Sequence, residues 1–553
     1  MLHSKFFLER SVNLFARQFL KKLSAMEDTI NSKKFPKVRR NNMLSKINSI
    51  SLHGLQGYLI EVQVDVSAGM PSWDIVGLPD ASVKEAKERV CTAIKNSGFE
   101  FQSRKIVINL APADVRKEGT FLDLPIAIGV LKNLGYINKP LPNNVAFVGE
   151  LSLDGNINKV NGILPICVEA KKLGINTIIV PSENAKEGAV VKDINVIGVT
   201  SLKETISFLN EEKVIEKEFV NVDELFCSKQ GNVLDFADVK GQEGIKRALE
   251  VAAAGGHNCI LIGSPGSGKT MMAQRIPSIL PALSFEEALE VTKIYSIAGV
   301  LPNNQPIITT RPYRAPHHTV SAISLIGGGK YPKPGEISLA HYGVLFLDEL
   351  PEFKKESLEV LRGPLEDGNV TISRVNATLT YPSKFMFVAS MNPCPCGFYG
   401  SKDKECTCSE QAITRYMGKI SGPLLDRIDI QIEVTPVKYQ SLENGSANET
   451  SEDIRKRVNA ARKIQLNRYK GLDIYSNSEL TPSLIKKYCK LDKKSGQILH
   501  NAFDKLGLSA RAYGRILKVA RTIADLEAKE NIQVNHIAEA IQYRNLDRKY
   551  WKN

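Results

Sequence analysis

The sequence predicts an α/β protein of several domains that ends in a helical region. Two observations support this prediction. Short apolar runs typical of buried strands alternate with helix-compatible segments as far as about residue 435. Beyond residues 442–450, which have the composition of a loop, apolar residues recur only at helical spacing. At roughly 150 residues per domain, the 553 residues suffice for about three or four folded units.

Composition excludes several classes of protein. With 43% hydrophobic and 24% charged residues, the chain has the balance of a soluble globular protein, not of a collagen-like or disordered one. It contains no run of about 18 apolar residues, which a membrane-spanning helix needs, so neither a transmembrane protein nor a membrane partner is expected. Nine cysteines are too few for a disulfide framework, which indicates a reducing cytoplasm.

The first 42 residues form a basic segment that differs from the rest of the chain. They carry ten Lys or Arg and three acidic residues, a net charge of +7 out of +13 for the whole sequence. Apolar residues recur here at helical spacing, so a targeting peptide or a membrane-surface helix is conceivable. However, there is no continuous apolar core or small-residue cleavage site, and the domain pattern begins at Met43. We expect a poorly ordered extension whose charge permits a polyanionic partner without proving one.

Three folded domains are predicted after this extension. They are a first α/β domain at residues 43–212, a second α/β domain at 233–437 and a helical domain at 438–553, with a charged linker at 213–232. In the first domain, strands are expected at 58–66, 105–110, 145–148 and 177–180, and helices at 82–96, 124–134 and 163–173. In the helical domain, helices are expected at 452–466, 482–489, 494–506, 510–526 and 534–543.

A phosphate-binding loop is predicted at residues 263–270, which fit the pattern G-x-x-x-x-G-K-[ST] completely. An apolar strand at 259–262 precedes it and a helix-compatible run at 271–280 follows, which is the context that the motif requires. Backbone N–H groups of such a loop surround phosphate oxygens at a helix N-terminus. Lys269 would reach the β- and γ-phosphates, and Thr270 would give a hydroxyl to Mg²⁺. The predicted loop residues are Gly263, Ser264, Pro265, Gly266, Ser267, Gly268, Lys269 and Thr270.

Two carboxylates at the end of another apolar strand complete the predicted ATP site. The strand at 344–347 leads into Asp348 and Glu349, and ligands gather at the carboxyl ends of strands in open α/β sheets. Asp348 would hold Mg²⁺ through water, and Glu349 would polarise the attacking water. A third strand at 385–389 leads into Asn392, whose amide can orient that water and sense the γ-phosphate.

A group of four cysteines suggests a metal site within fifteen residues. Its members are Cys394, Cys396, Cys406 and Cys408. Tetrahedral Zn²⁺ takes four nitrogen or sulfur ligands, so an ion held here would be structural, with every position filled. The spacing is C-x-C instead of the usual C-x₂-C, and free buried thiols are the alternative. His317 and His318 are left out as ligands, because adjacent side chains of an extended segment point to opposite faces.

With these motifs the chain resembles the AAA+ ATPases, and within them the magnesium-chelatase/MCM-like branch with inserted hairpins. Further segments resemble the ComM/YifB family, and the resemblance covers roughly residues 43–545. These segments are residues 314–319 (RAPHHT), 325–329 (LIGGG), 334–341 (PGEISLAH) and 347–353 (LDELPEF). The resemblance implies that residues 238–242 (DVKGQ) lie on the adenine side of the nucleotide.

The resemblance also implies roles for two arginines. Residues 424–427 (LLDR) match the arginine-finger motif, so Arg427 would extend its charge to the γ-phosphate of the neighbouring subunit. Arg511 matches the sensor-2 arginine, with Arg515 as its rival for that role. A surface ion pair is the alternative for each arginine. An arginine that acts in trans requires an assembly, and the family implies a homo-hexameric ring.

Two insertions in the second α/β domain could contact DNA. Residues 323–337 carry Lys330 and Lys333, and residues 370–381 alternate like a hairpin and carry Arg374. In the related helicases such hairpins line the channel, where Lys and Arg neutralise phosphates without reading sequence. A packing loop between subunits is the alternative role.

The first domain resembles the proteolytic domain of Lon. The matching segments are residues 109–114, 117–119, 148–152, 155 and 174–181. Lon uses a serine nucleophile and a lysine base, and the alignment places Phe121 and Leu164 at these two positions. Neither side chain can attack a carbonyl or transfer a proton. We therefore expect the fold without peptidase activity, and a role in ring assembly or substrate handling.

The resemblance implies an ATP-driven hexameric DNA motor. It would be a branch-migration helicase acting on single-stranded or branched DNA, which aids DNA integration in natural transformation or recombination. The alternative is a chelatase-type motor that remodels a protein partner for metal insertion. A dedicated chelatase motor is expected to lack a Lon-like domain, which favours the DNA function. The two apolar replacements argue against an ATP-dependent protease, and the complete ATPase motifs argue against a pure binding module.

Overall fold

The chain folds into two α/β domains followed by helices, which confirms the predicted fold class. The computed structural model describes residues 44–100, 104–227, 234–303, 305–329, 332–374, 377–401, 404–436, 448–506, 509–546 and 550–551. In these ranges, no helix combines the length and the apolar character needed to cross a membrane. The basic segment 1–42 lies outside the described residues.

The first domain is built on a seven-stranded mixed sheet, and two further short strands of the domain pair with each other outside that sheet. Its strands are β1 (Ser45–His53), β2 (Gln56–Ser67), β3 (Ser72–Val76), β4 (Lys105–Ala111), β5 (Val145–Phe147), β6 (Glu150–Leu151), β7 (Ile157–Asn158), β8 (Thr177–Pro181) and β9 (Asn195–Val199). Its helices are α1 (Ala81–Asn96), α2 (Asp123–Asn133), α3 (Ile163–Lys172), α4 (Ser182–Gly188) and α5 (Leu202–Leu209). The sheet order is β3-β4-β2-β1-β5-β8-β9, while β6 and β7 pair separately. Every strand and helix predicted here overlaps an observed one, with ends that differ by at most two residues.

The segment that follows contains more structure than its composition predicts. A short helix, α6 (Val222–Cys227), lies inside the range expected to be linker. Val222 is buried in the same hydrophobic cluster as Ile163 of the first domain. Because charged residues surround this helix in the sequence, its small apolar face gave no periodic signal that could be recognised.

The second domain is a five-stranded parallel sheet, and its strand ends form the candidate site. Its strands are β10 (Cys259–Gly263), β11 (Tyr313–Arg314), β14 (Val344–Leu347), β17 (Met386–Met391) and β18 (Ile430–Val434), in the order β11-β14-β17-β10-β18. Every residue of β10, β14 and β17 is buried, as expected for parallel strands covered on both faces. The helices of this domain are α7 (Glu243–Gly255), α8 (Lys269–Ile279), α9 (Phe285–Ala298), α10 (Ala322–Ile326), α11 (Glu336–Leu339), α12 (Lys355–Glu359), α13 (Arg362–Asp367), α14 (Glu410–Met417) and α15 (Gly422–Leu425).

Both predicted insertions form antiparallel pairs. The first consists of the short strands β12 (Gly327–Gly328) and β13 (Lys333–Pro334), and the second of β15 (Asn369–Arg374) and β16 (Ala377–Pro382). The two pairs contact each other, because the Tyr381 hydroxyl donates a hydrogen bond to the Pro332 carbonyl at 3.0 Å. The two insertions are therefore connected, and the second packs against the sheet through the buried side chains of Ile372 and Tyr381.

The helical region packs against the second domain through a buried polar joint. Its helices are α16 (Ser451–Arg468), α17 (Pro482–Tyr488), α18 (Lys493–Leu506), α19 (Ala510–Leu526) and α20 (Val534–Gln542). His257, at the end of α7, is fully buried and bonds Asp429 at 3.1 Å and Thr522 of α19 at 2.8 Å. Gln465 of α16 donates to the carbonyl of Ala254 at 3.1 Å. These bonds fix the helices to α7 and to the segment that leads from α7 into β10.

The first and second domains share a hydrophobic cluster. Leu283, Ala288 and Ile307 of the second domain are buried in the same cluster as Ile163 and Ile166 of α3. At its edge, the Ser296 hydroxyl of α9 donates to the carboxylate of Glu187, which also accepts the backbone N–H of Leu164 at 2.9 Å. An apolar contact with buried hydrogen bonds of this kind holds the domains in a defined arrangement.

Replacing Asp525 with alanine should destabilise the helical region strongly. Asp525 is 1% exposed and accepts hydrogen bonds from Arg468 at 2.8 Å, Arg521 at 3.1 Å and Asn477 at 2.9 Å. Its removal leaves the buried guanidinium group of Arg521 and the partly buried one of Arg468 without their counter-ion, which costs about 3–5 kcal/mol of unfolding free energy. Urea unfolding followed by circular dichroism measures the change.

The matched control is Glu452→Ala, which removes the partner of Lys456 from an exposed pair at 3.3 Å. Its unfolding midpoint should stay at the wild-type value, because exposed ion pairs contribute little. A wild-type midpoint for Asp525→Ala as well would contradict the stabilising role of the buried network.

Candidate functional site

The phosphate-binding loop connects β10 to α8 with glycines in conformations that other residues rarely adopt. Gly266 and Gly268 have φ angles of +75° and +91°. At Gly263, a Cβ atom would lie 2.2 Å from the carbonyl oxygen of Val434 on the neighbouring strand β18. The loop therefore needs glycine at these positions both for its turns and for its close approach to the sheet.

Two buried hydroxyl groups of this loop have hydrogen-bonding capacity that a ligand could use. The hydroxyls of Ser264 and Ser267 are buried and have no hydrogen-bond partner among the described residues. The ammonium group of Lys269 donates to the carbonyls of Gly263 at 2.8 Å and Ser264 at 2.9 Å. Burial lowers the pKa of Lys269, and the negative charges of Asp348 and Glu349 act in the opposite direction. Unpaired hydroxyls beside a buried cation fit the oxygens of a phosphate chain.

The predicted Mg²⁺ ligands lie beside each other at the end of β14. The Thr270 hydroxyl donates to Asp348 at 2.7 Å, and the other carboxylate oxygen of Asp348 accepts the hydroxyl of Ser390. The backbone N–H of Glu349 donates to Asp348 at 3.0 Å. A hydroxyl and a carboxylate in contact suit a hard cation that prefers oxygen ligands. The residues present therefore fit Mg²⁺.

Two further predicted residues lie at the same edge of the sheet. Asn392 follows β17, and its amide oxygen accepts a hydrogen bond from the Lys269 ammonium group at 3.2 Å. Glu349 follows Asp348 in a left-handed conformation with a φ of 53° and stays exposed. Backbone strain at a non-glycine residue is typical of functional sites. The structure thus brings Lys269, Asp348, Glu349 and Asn392 together, as the spacing predicts.

Sequence reasoning missed three residues of this site. Ser390 precedes Asn392 by two positions and bonds Asp348, while His317 and His318 line a cavity beside Thr270 and Asp348. The imidazole of His318 approaches the carboxylate of Glu349 to 3.9 Å. The sequence contained a signal for the two histidines, because they lie in the RAPHHT segment that carries the family resemblance.

The expectation that His317 and His318 point to opposite faces was wrong. Their ring centroids are 4.0 Å apart and the rings are tilted by 35°, so they pack on each other. The strand β11 ends at Arg314, and His318 begins a turn; the alternation that holds in a strand therefore does not apply here. Neither histidine belongs to the group of cysteines.

The predicted adenine-side segment lies next to α8. Arg275 of that helix donates to the carboxylate of Asp238 at 3.0 Å and to the carbonyl of Asp235 at 2.7 Å. The side-chain amide of Gln242 donates to the carbonyl of Thr435, just beyond β18, at 2.7 Å. These bonds hold residues 238–242 beside the helix that begins with Lys269.

The predicted arginines line a different cleft from the phosphate-binding loop. Arg427 and Arg511 both border it, together with the rival Arg515. Arg427 forms an ion pair with Glu366 and donates to the carbonyl of Pro423 at 2.7 Å. Arg511 is exposed and donates to Asp426 at 3.2 Å. Both arginines thus take part in ion pairs within one chain.

The four cysteine sulfurs converge as the metal prediction requires. They lie within 4.8 Å of one another, and all four cysteines are free. Cys394 is buried, whereas the other three are partly exposed. Its sulfur lies 3.3 Å from that of Cys396 and 3.7 Å from that of Cys406. Four thiols at such distances could hold a single metal ion.

The predicted DNA contacts are described only in part. Lys333 is exposed in β13, and Lys330 lies outside the described residues. Arg374 ends β15, opposite Ala377 in the hairpin, and only its backbone is described. The structure therefore supports the hairpin geometry and leaves the DNA contacts as predictions.

Phe121 and Leu164, which the sequence resemblance sets at the catalytic positions of Lon, are packed among apolar side chains. Leu164 is fully buried at the start of α3, and Phe121 packs against the hydrophobic cluster to which Leu164 belongs. No proton can be exchanged between these side chains. The absence of peptidase activity therefore stays a prediction.

Comparison with known proteins places the chain in a family. Three family models match, described as "Magnesium chelatase, subunit ChlI" at residues 235–442, "Subunit ChlI of Mg-chelatase" at 62–184 and "Magnesium chelatase, subunit ChlI C-terminal" at 448–544. The chain is 43% identical to "Competence protein ComM" of Haemophilus influenzae over 91% of its own length and 97% of the relative's. It is 42% identical to "Uncharacterized protein YifB" of Escherichia coli over 91% and 98% of the two chains.

Shorter and weaker similarities also occur. The chain is 27% identical to "Lon protease 2" of Bacillus subtilis over 30% of its length and 32% of that protein's. It is 29% identical to "DNA repair protein RadA" of Streptococcus pneumoniae over 28% and 37% of the two chains. The similarity along nearly the whole length of two relatives is decisive, and the chain belongs to the ComM/YifB family of magnesium-chelatase-like AAA+ proteins.

Proposed function

We propose that this protein is an ATP-driven DNA motor, a branch-migration helicase that assists DNA integration in natural transformation or recombination. One observation carries the ATPase part of the proposal. The ammonium group of Lys269 contacts Asn392 while Thr270 contacts Asp348, so the groups that would bind phosphate, Mg²⁺ and water meet at one sheet edge.

ATP hydrolysis at this site would proceed by positioning and charge stabilisation. The loop amides, the hydroxyls of Ser264 and Ser267 and the ammonium of Lys269 would hold the phosphate chain. Thr270 and Asp348 would hold Mg²⁺, which neutralises charge on the β- and γ-phosphates when bound. Glu349 would accept a proton from the attacking water, and Asn392 would orient that water against the γ-phosphate.

The location of the arginines supports a ring as the active form. Arg427 and Arg511 border a cleft whose lining includes none of the residues of the phosphate-binding loop. An arginine finger stabilises charge on the transferred phosphoryl group, so each site would need the arginine of a neighbouring subunit. A homo-hexamer, as the family resemblance implies, would supply Arg427 in trans. Arg511, which lies in the helical region, would respond to the bound nucleotide.

DNA is the proposed partner because three observations favour it. The two connected hairpins carry the exposed Lys333, and Arg374 lies at the end of a strand. The long similarity is to a protein named for competence, and a shorter one is to a protein named for DNA repair. Single-stranded or branched DNA held by lysine and arginine would be bound mainly through its phosphates.

The alternative remains a chelatase-type motor that remodels a protein partner for metal insertion. The family models named for a magnesium-chelatase subunit favour it. One of them also matches residues 62–184, so the presence of the first domain does not discriminate between the two functions, contrary to the expectation from the sequence. ATPase assays with and without single-stranded and branched DNA distinguish them, because only the DNA motor should be stimulated.

The proposal has two further parts. One structural Zn²⁺ would be held by the four cysteines Cys394, Cys396, Cys406 and Cys408. A reducing cytoplasm is the proposed location, because thiols stay free there.

Glu349→Gln should retain ATP binding and lower the turnover number by a factor of about 10² or more, because the water loses its proton acceptor. Phosphate release measures turnover, and a fluorescent ATP analogue measures binding. The control is Glu352→Gln, which changes an exposed glutamate paired with Lys419 at 3.3 Å. Near-normal hydrolysis by Glu349→Gln would remove this residue from its proposed role.

Ser390→Ala should raise the Mg²⁺ concentration needed for half-maximal ATPase activity about tenfold, since a hydrogen bond to a charged group contributes about 1.5–3 kcal/mol. The reason is that Asp348 loses the hydroxyl that orients it. Mg²⁺ titration of the steady-state rate measures the shift. Ser383→Ala, at a buried serine whose hydroxyl has no partner among the described residues, should leave the titration unchanged. Equal curves for both variants would contradict a positioning role of Ser390.

DNA affinity should fall steeply with salt, and Arg374→Ala or Lys333→Ala should flatten that dependence. Each phosphate contact contributes a slope of about −0.7 in log affinity against log salt for single strands, and a hexamer multiplies the contacts. Basal ATP hydrolysis should survive, because the nucleotide site is unchanged. Titration of labelled DNA at several salt concentrations measures the slope, with Lys203→Ala on the first domain as control. Slopes equal to wild type would contradict DNA contacts at Arg374 and Lys333, and a wild-type ATPase that DNA does not stimulate would support the protein-remodelling alternative.

A further inference from the structure

The cysteine group has the dimensions of a site for one tetrahedral metal ion. A Zn–S distance of about 2.3 Å gives sulfur–sulfur separations of about 3.8 Å in a tetrahedron. The separations are 3.3 Å between Cys394 and Cys396, 3.7 Å between Cys394 and Cys406 and 3.5 Å between Cys396 and Cys406. Iron–sulfur clusters place sulfide and several irons among their cysteines, for which these separations leave no room.

Two of the four sulfurs accept hydrogen bonds from backbone amides of the same loop. The N–H of Cys396 points to the sulfur of Cys408 at 3.4 Å, and the N–H of Tyr399 points to that of Cys394 at 3.4 Å. Amide donors of this kind stabilise negative sulfur and orient metal ligands. The amide contacts therefore favour negative sulfur at Cys394 and Cys408, which suits ligation of a cation.

The loop that carries the cysteines begins at the nucleotide site. Only Pro393 separates Cys394 from Asn392, whose amide oxygen contacts the ammonium of Lys269. The buried Cys394 thus fixes the chain two residues after the group that would orient the attacking water.

The same loop also touches the phosphate-binding loop directly. Gly397 has a φ of +85°, and a Cβ atom added to it would lie 2.4 Å from Cδ of Pro265. Gly397 lies between the two cysteine pairs, so a metal ion that joins the pairs would hold this glycine against Pro265. The contact leaves no space for any larger residue.

We propose that a metal ion bound by the four cysteines fixes the position of Asn392 relative to the phosphate-binding loop. We call this metal site the brace. Zn²⁺ is the ion assigned, because four sulfur ligands in a tetrahedron suit it and fill every coordination position. The ion would close the loop from Cys394 to Cys408 and so restrict both of its contacts with the nucleotide site. This inference rests on the proposed nucleotide-binding function of that site.

Metal content of the purified full-length chain is the first test. Mass spectrometry of the metals should find about one Zn²⁺ per chain. The double variant Cys406→Ser and Cys408→Ser should lose it, whereas Cys91→Ser, a cysteine on α1 outside the group, should retain it. A wild-type chain without bound metal, with its four thiols free in a thiol titration, would overturn the site, as would a double variant that keeps its zinc.

Nucleotide affinity tests the brace separately from the metal. Gly397→Ala should keep one Zn²⁺ and weaken binding of a fluorescent ATP analogue about tenfold, because the added methyl group displaces Pro265. Gly471→Ala is the matched control, since Gly471 has the same φ of +85° with nothing within 4 Å of its added Cβ. Removing zinc from the wild-type chain with a chelator should weaken binding similarly, while circular dichroism stays unchanged.

The possible results separate this inference from the proposed function. Equal affinity for ATP with and without zinc, or in Gly397→Ala and Gly471→Ala, would overturn the brace and leave the nucleotide function standing. A zinc-containing wild-type chain that binds no ATP analogue would instead refute the nucleotide function. If the double variant fails to fold, zinc extraction and Gly397→Ala still decide the question, because they use the wild-type cysteines.

Discussion

The parallel pairing of β10 with β17 is the constraint on which the candidate site depends. It sets Cys259 opposite Val388 and Ile262 opposite Met391, so the two strands end at the same level. The phosphate-binding loop therefore leaves the sheet next to Asn392, and the Lys269 ammonium group reaches the amide oxygen of that residue. Shifting this register by one residue would reverse the faces of β17 and remove Ser390 from Asp348.

The two strands that flank β10 and β17 place further residues of the site at the same edge of the sheet. β14 pairs with β17 and delivers Asp348, and β18 pairs with the other side of β10 and confines Gly263. Because each strand is buried on both faces, its apolar residues fix the depth at which the polar groups emerge. The packing of the core therefore determines the geometry of the site.

Contacts outside the sheet connect the second domain to the rest of the chain. The joint at His257 links the end of α7 to the helical region, and Glu187 links the first domain to α9. The cysteine loop touches Pro265 from a third direction. These contacts join the domain of the candidate nucleotide site to the helical region and to the first domain.

The sequence by itself determined the elements whose signals are local. Continuous apolar strands, the glycine-rich loop and the Asp348–Glu349 pair predicted the ATP site, since each depends on residues close together in the chain. Only the tertiary structure decided the rest. Ser390 and His318 join the site through strands and turns far apart in sequence, and the convergence of the four cysteines depends on how their loop folds. Helix α6 escaped prediction because it is specified by packing against residues far away in the sequence, and the contact between the two histidine rings because it depends on the turn that begins at His318.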